Sequence, residues 1–167
     1  MRLTQEQYDK AKPMHANQEM VRAMLDGRKT QTRRPIPEKV MADMRIAQQI
    51  GEVSDFYDTG YLQKGDESYI IDFARYQPGD IIYIKETWLL YNHIGTYNGK
   101  SPKEMPKDLG IGYKADELDE DTLFTWRHSN HMPKWASRLF YEIKAVHVAQ
   151  SDKGIWEFVY EIERILK

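Results

Sequence analysis

Between Gly27 and Arg34 the chain reads Gly-Arg-Lys-Thr-Gln-Thr-Arg-Arg, so Arg28, Lys29, Arg33 and Arg34 place four cations within seven residues. Like charges at this density repel, and the run needs solvent, carboxylates or a polyanion to compensate it. Such a run is either solvated surface or a site. The interleaved Thr30, Gln31 and Thr32 favour a site, because hydroxyls and an amide add directional hydrogen bonds to phosphate, base or acyl groups. Lys29 and Thr32 are the pair that could carry catalysis. A lysine whose pKa is lowered by burial or by neighbouring cations can serve as base to a threonine hydroxyl, itself a poor nucleophile near neutrality. In a flat strand their side chains would point to opposite faces, so convergence requires a turn or bulge at Thr30 and Gln31.

The elements that must position this segment can be read from the flanking sequence. Asn17 is a good N-cap, Met20, Val21, Met24 and Leu25 recur at helical spacing, and Gly27 suits the left-handed position that ends a helix. Pro35 and Pro37 end whatever extended piece follows. Residues 38 to 50 read as weakly helical, and residues 51 to 69 as an irregular or hairpin insertion. After a short apolar run at 69 to 74, the turn signal Gln77-Pro78-Gly79-Asp80 precedes residues 81 to 88, whose β-branched and aromatic density predicts a strand. Residues 92 to 112 read as a long loop and 112 to 115 as a short strand. Residues 138 to 149 alternate, and Trp156, Phe158, Tyr160 and Ile162 fall on every second position, so both stretches predict strands with one buried face. The expected fold is α+β and strand-dominated: a small β-barrel or half-open sheet with one or two short flanking helices.

With 167 residues the chain suits a single domain spanning 1 to 167, with insertions at about 38 to 70 and 92 to 112. A net charge of −2 means that any polyanion site is a local patch, not a global property. The acids Asp116, Glu117, Asp119, Glu120 and Asp121 cluster without an internal turn glycine, as a solvated loop does. His128 and His131 lack a third nearby ligand, so no metal or other cofactor is expected. The absence of cysteine excludes disulfides and thiolate zinc sites and agrees with a reducing compartment. No signal-peptide core or membrane-length apolar stretch occurs, which predicts a cytoplasmic protein. Neither a phosphate-cradling glycine loop nor a Gly-x-Ser-x-Gly elbow is present.

Gly27-x-Lys29-x-x-Thr32-x-Arg34 resembles the signature of ASCH domains, in much of the family written with Glu where Thr32 stands here. Three further blocks, residues 79 to 88, 113 to 116 and 131 to 138, resemble phage-encoded ASCH-like proteins in the same order. The resemblance covers about residues 14 to 150 and implies a PUA-like β-barrel in the cytoplasm of a bacterial host. It also implies a partner that is RNA, a nucleotide or a modified nucleoside, and the expected pocket for it is lined by Lys29, Thr32 and Arg34, with Glu86 added as this chain's own candidate.

The resemblance leaves catalysis open. A subset with Lys and Thr spaced as here is similar to an amidohydrolase acting on acetylcytidine, and other members act as ribonucleases. That amidohydrolase also uses a glutamate in a segment corresponding to residues 150 to 155, which here is short and contains none. Glu86 is the substitute candidate; alternatively it is a strand-end carboxylate paired with Arg33 or Arg34. Arg28, Arg33 and Arg34 are candidate phosphate contacts, extended by Lys134 and Arg138, and Trp135 could stack a base or serve as a core lid. Trp88 and Trp126 favour packing. A third class, a phage protein-interaction module whose basic segment pairs with a partner's acids, also fits the charge pattern.

Overall fold

The computed structural model describes residues 2–53, 64–92, 95–96, 109–116 and 125–167. The fold is mixed α+β and strand-rich. Its helices are α1 (Gln5–Lys10), α2 (Gln18–Leu25), α3 (Glu38–Gln49) and α4 (Lys64–Ile71). The strands are β1 (Lys12–His15), β2 (Gln31–Pro35), β3 (Ile81–Lys85), β4 (Trp88–Asn92), β5 (Gly95–Thr96), β6 (Gly110–Tyr113), β7 (Phe140–Gln150) and β8 (Trp156–Ile165). A five-stranded sheet has the order β1-β3-β7-β8-β2, and a three-stranded sheet the order β5-β4-β6. The chain divides into two compact units: Met1–Lys29, Ile81–Tyr141 and Arg164–Lys167 form the first, Thr30–Asp80 and Glu142–Glu163 the second.

In the first unit, α1 opens with a capping box in which Thr4 and Gln7 bond each other's backbone amides. β1 then pairs in parallel with β3, Met14 opposite Ile84. Asn17 caps α2 by accepting from the Met20 amide at 2.8 Å. Ala11, Ile81, Tyr83, Phe140 and Ile165 form one buried cluster, with Tyr8 and Leu3 against it. Trp88, Leu90, Met132 and Ala136 form another.

The second unit is built on β2, which pairs antiparallel with β8 so that Thr32 faces Tyr160 and Arg34 faces Phe158. Helix α3 buries Val40, Met41, Met44 and Ala47, one apolar stripe at helical spacing. The turn before β3 forms as its sequence demands: Gly79 takes φ +87°, and the Asp80 carboxylate accepts from the Gln77 amide.

Several expectations are corrected. Residues 64 to 71 are helical where a hairpin or irregular insertion was expected; Ile70 is fully buried, and Asp66 and Glu67 sit in the first turn, where the helix dipole favours acids. Residues 54–63 of that insertion lie outside the described residues, as does most of the loop expected at 92 to 112. The strand expected at 81 to 88 ends at Lys85, and a separate strand, β4, begins at Trp88 in the other sheet; between them Glu86 meets the Arg138 guanidinium. Helix α1 and strand β1 were not anticipated, so the helices outnumber the one or two expected.

Candidate functional site

The basic segment starts from a tightly closed helix end. Gly27 takes φ +71°, a conformation L side chains rarely adopt, and the Lys29 amide reaches back to the Ala23 carbonyl at 3.0 Å. Arg28 folds onto Asp26 at 2.7 Å on the surface. β2 begins only at Gln31, so Lys29 and Thr30 precede the strand and the run is not a regular strand from Lys29 onward. Lys29 belongs to the first unit and Thr32 to the second.

Within β2 the side chains alternate. Thr32 is fully buried, and its hydroxyl has no hydrogen-bond partner among the described residues. Arg33 points to the other face, 3.7 Å from Glu157. Arg34 shares the Thr32 face and lies beside the Tyr160 hydroxyl, whose pKa is pushed up to about 12 chiefly by burial; the positive charge of Arg34 acts in the opposite sense.

That face forms the wall of a cavity of about 230 Å³ wholly within the second unit. Arg34, Phe73, Arg75, Tyr76, Phe158 and Tyr160 line it. The Arg75 guanidinium lies 5.5 Å from the Tyr76 ring centroid, and Tyr76 meets Tyr160 edge to face at 5.4 Å. Sequence reasoning singled out Arg34 but missed the other five as site residues. The alternation of Phe158 and Tyr160 was visible and marked only a buried face. Arg75 and Tyr76 had no signal beyond their place before the Gln77 turn.

Glu86 and Arg138 come together in the first unit. Glu86 is 1% exposed, and Arg138 grips it with Nε and Nη2, both at 3.0 Å. Nη1 of Arg138 binds Asp116 at 2.8 Å, and the guanidinium carbon lies 3.9 Å from the Tyr113 ring centroid. Burial raises the Glu86 pKa, and the bonds and charge of Arg138 offset part of that rise. Glu86 is thus paired with Arg138, not with Arg33 or Arg34. All three nitrogens of Arg138 already meet carboxylates, so a phosphate there would have to displace Asp116.

Lys134 is likewise engaged: its ammonium donates to the carbonyls of Tyr8 and Asp9 at the end of α1, 2.9 and 3.0 Å away. Trp135 is 41% exposed and sits edge-on to buried Trp88 at 6.2 Å, so it both covers that core and presents surface. Among the described residues no group of three or more histidines and carboxylates could hold a metal ion. Among the described residues no helix is long and apolar enough to cross a membrane. Searches against protein-family models, characterised proteins and solved structures find no match for this chain.

Proposed function

We propose that this chain is an ASCH-like, PUA-like domain, its sheet the wall of a small barrel, that binds RNA or a nucleotide. The observation that carries the reading is the place of Arg34: the last cation of the basic segment lines a hollow whose other walls are aromatic rings, Pro35, Pro37 and a second arginine. Guanidinium groups recognise phosphate by directional, charge-assisted bonds, and aromatic rings offer faces or edges to any base. Arg33, on the opposite face of β2 beside Glu157, is not part of that lining.

Fluorescence anisotropy with a short labelled single-stranded RNA tests the proposal. Affinity should fall steeply between about 50 and 200 mM salt, and Arg34→Ala should weaken it about tenfold. No binding at the lower salt, or equal affinity at both, would refute the reading.

One observation favours a second reading, in which the domain hydrolyses an acylated cytidine or RNA. The Thr32 hydroxyl is buried without a partner, and a buried polar group left so persists at a cost of about 1 to 3 kcal/mol. Incubation with acetylcytidine or RNA, followed by chromatography, should show turnover that Thr32→Val and Lys29→Ala abolish. Intact substrates would remove this alternative.

A further inference from the structure

Helix α3 carries apolar residues on two sides, and only one side is covered. Val40, Met41, Met44 and Ala47 are buried, whereas Ile46 and Ile50 at the end of the helix are 56% and 65% exposed. A surface helix turns polar residues to solvent, and β-branched isoleucines add nothing to helix propensity there, so the outer pair serves neither the fold nor the helix. Tyr69 of α4 and Phe73 just beyond it, their rings 5.7 Å apart, join Ile46, Ala47 and Ile50 in lining a hollow of about 230 Å³ within the second unit. Seven large hydrophobic side chains are exposed among the described residues, and three of them, Ile46, Ile50 and Phe73, meet at this one hollow. Such clustering, rather than the exposure of any single residue, marks an interaction surface.

The charges of the lining indicate what covers it. Asp43 and Glu52 are its only ionic residues, and neither has an ion pair or a side-chain hydrogen bond among the described residues. Arg45, close to Asp43 in sequence, pairs instead with Glu38 at 2.8 Å and is not in the lining. Two uncompensated carboxylates beside an apolar hollow complement a partner that is apolar at its centre and cationic at its flanks. The hollow is smaller than drug-sized ligand sites, so only anchor side chains enter it while the body of the partner lies on the surface. No strand contributes to the lining, which removes addition to a sheet edge and favours recognition by side chains spaced along a helix.

We infer that this groove docks a cationic amphipathic helix of another protein. Apolar anchors one helical turn apart seat among Ile46, Ile50, Tyr69 and Phe73, and lysines or arginines beside them face Asp43 and Glu52. The inference goes beyond the nucleic-acid reading and does not depend on it, since no residue of the basic segment lines this groove.

Selection of a displayed library of random peptides, each about 15 residues and so about four helical turns, on the full chain decides it. Selected peptides should share apolar residues one turn apart with lysine or arginine beside them. Their affinity, measured by fluorescence anisotropy, should fall about tenfold or more with Ile46→Asp, which withdraws one apolar contact. At so exposed a position that variant should keep its fold, which circular dichroism checks. Asp43→Lys combined with Glu52→Lys should weaken the same peptides about threefold or more, and copies with glutamate in place of their cations should bind this double variant better than they bind the parent. A shared pattern that is acidic, uncharged or proline-rich, peptides that bind the Ile46→Asp variant as well as the parent, or a selection that enriches nothing would each overturn the inference. So would a concentration-dependent dimer in sedimentation velocity that Ile46→Asp dissolves, because a second copy of the chain would then be the occupant.

Discussion

Replacing Arg138 with methionine should destabilise the protein in a way that depends on pH. The substitution keeps an unbranched, apolar side chain but leaves the Glu86 carboxylate, 1% exposed, without either of its 3.0 Å bonds. Breaking a buried ion pair from one side costs about 3 to 5 kcal/mol. The lower end applies here, because the Arg138 side chain retains 22% of its exposure and water can reach part of the vacated space. About 3 kcal/mol in a chain of this length corresponds to a fall in Tm of about 6 to 12 °C.

The pH dependence follows from the direction of the shift. Burial holds the folded pKa of Glu86 above its unfolded value, so the native state binds the extra proton, and stability falls as pH rises through that window. Without Arg138, which opposes the rise, the folded pKa climbs further and the window widens upward. The stability lost by Arg138→Met should therefore be larger at pH 7.5 than at pH 4.5. Glu86→Gln combined with Arg138→Met should recover part of the loss, because no buried charge remains. Differential scanning calorimetry of the parent, both single variants and the double variant across that range is the measurement. A loss equal at both pH values would mean that packing against Tyr113, and not an unpaired carboxylate, accounts for the effect.

Other perturbations have defined outcomes. Thr32→Val keeps the shape and removes an unpartnered buried hydroxyl, so urea unfolding should show a gain of about 1 kcal/mol, and a loss instead would mean the hydroxyl has a partner. Gly27→Ala forces a side chain into φ +71° and should cost about 1 kcal/mol by the same assay, although nothing lies near enough to clash; no loss would mean the backbone can relax. Thr4→Ala removes the capping box of α1 and should also cost about 1 kcal/mol, checked by thermal unfolding. Tyr113 and Tyr160, both pushed up to about 12 mainly by burial, should be silent in a phenolate absorbance titration until well above the ordinary tyrosine range. Ionisation of all tyrosines together near their usual value, in the folded protein, would contradict their burial.

Much of the fold was legible where local signals agreed with tertiary demand. The Asn17 cap, the stripe from Met20 to Leu25 and Gly27 define α2 almost as it stands, because cap, periodicity and stop signal all point one way. The alternation of Trp156, Phe158, Tyr160 and Ile162 likewise identified β8. β1 was not legible: Lys-Pro-Met-His has no alternating pattern, and it is a strand only because β3 supplies the partner ladder. α1 does carry a signal, the capping-box spacing Thr4-x-x-Gln7. At the site, the basic run was conspicuous, but spacing along the chain could not pair Glu86 with Arg138, which lie 52 residues apart. Nor could it bring Arg75 to the cavity beside Arg34, since that meeting depends on β8 and the segment after α4.

The tryptophans are unevenly shared between the two units: Trp88, Trp126 and Trp135 belong to the first and Trp156 to the second. Trp88 is sealed from solvent, with the Arg127 cation 5.7 Å from its ring centroid, so its fluorescence should be blue-shifted and insensitive to external quenchers. Intrinsic emission excited at the red edge will consequently report mainly on the first unit. Occupancy of the aromatic cavity is better followed through tyrosine emission or ligand absorbance, and a titration that monitors indole intensity alone could miss a genuine binder.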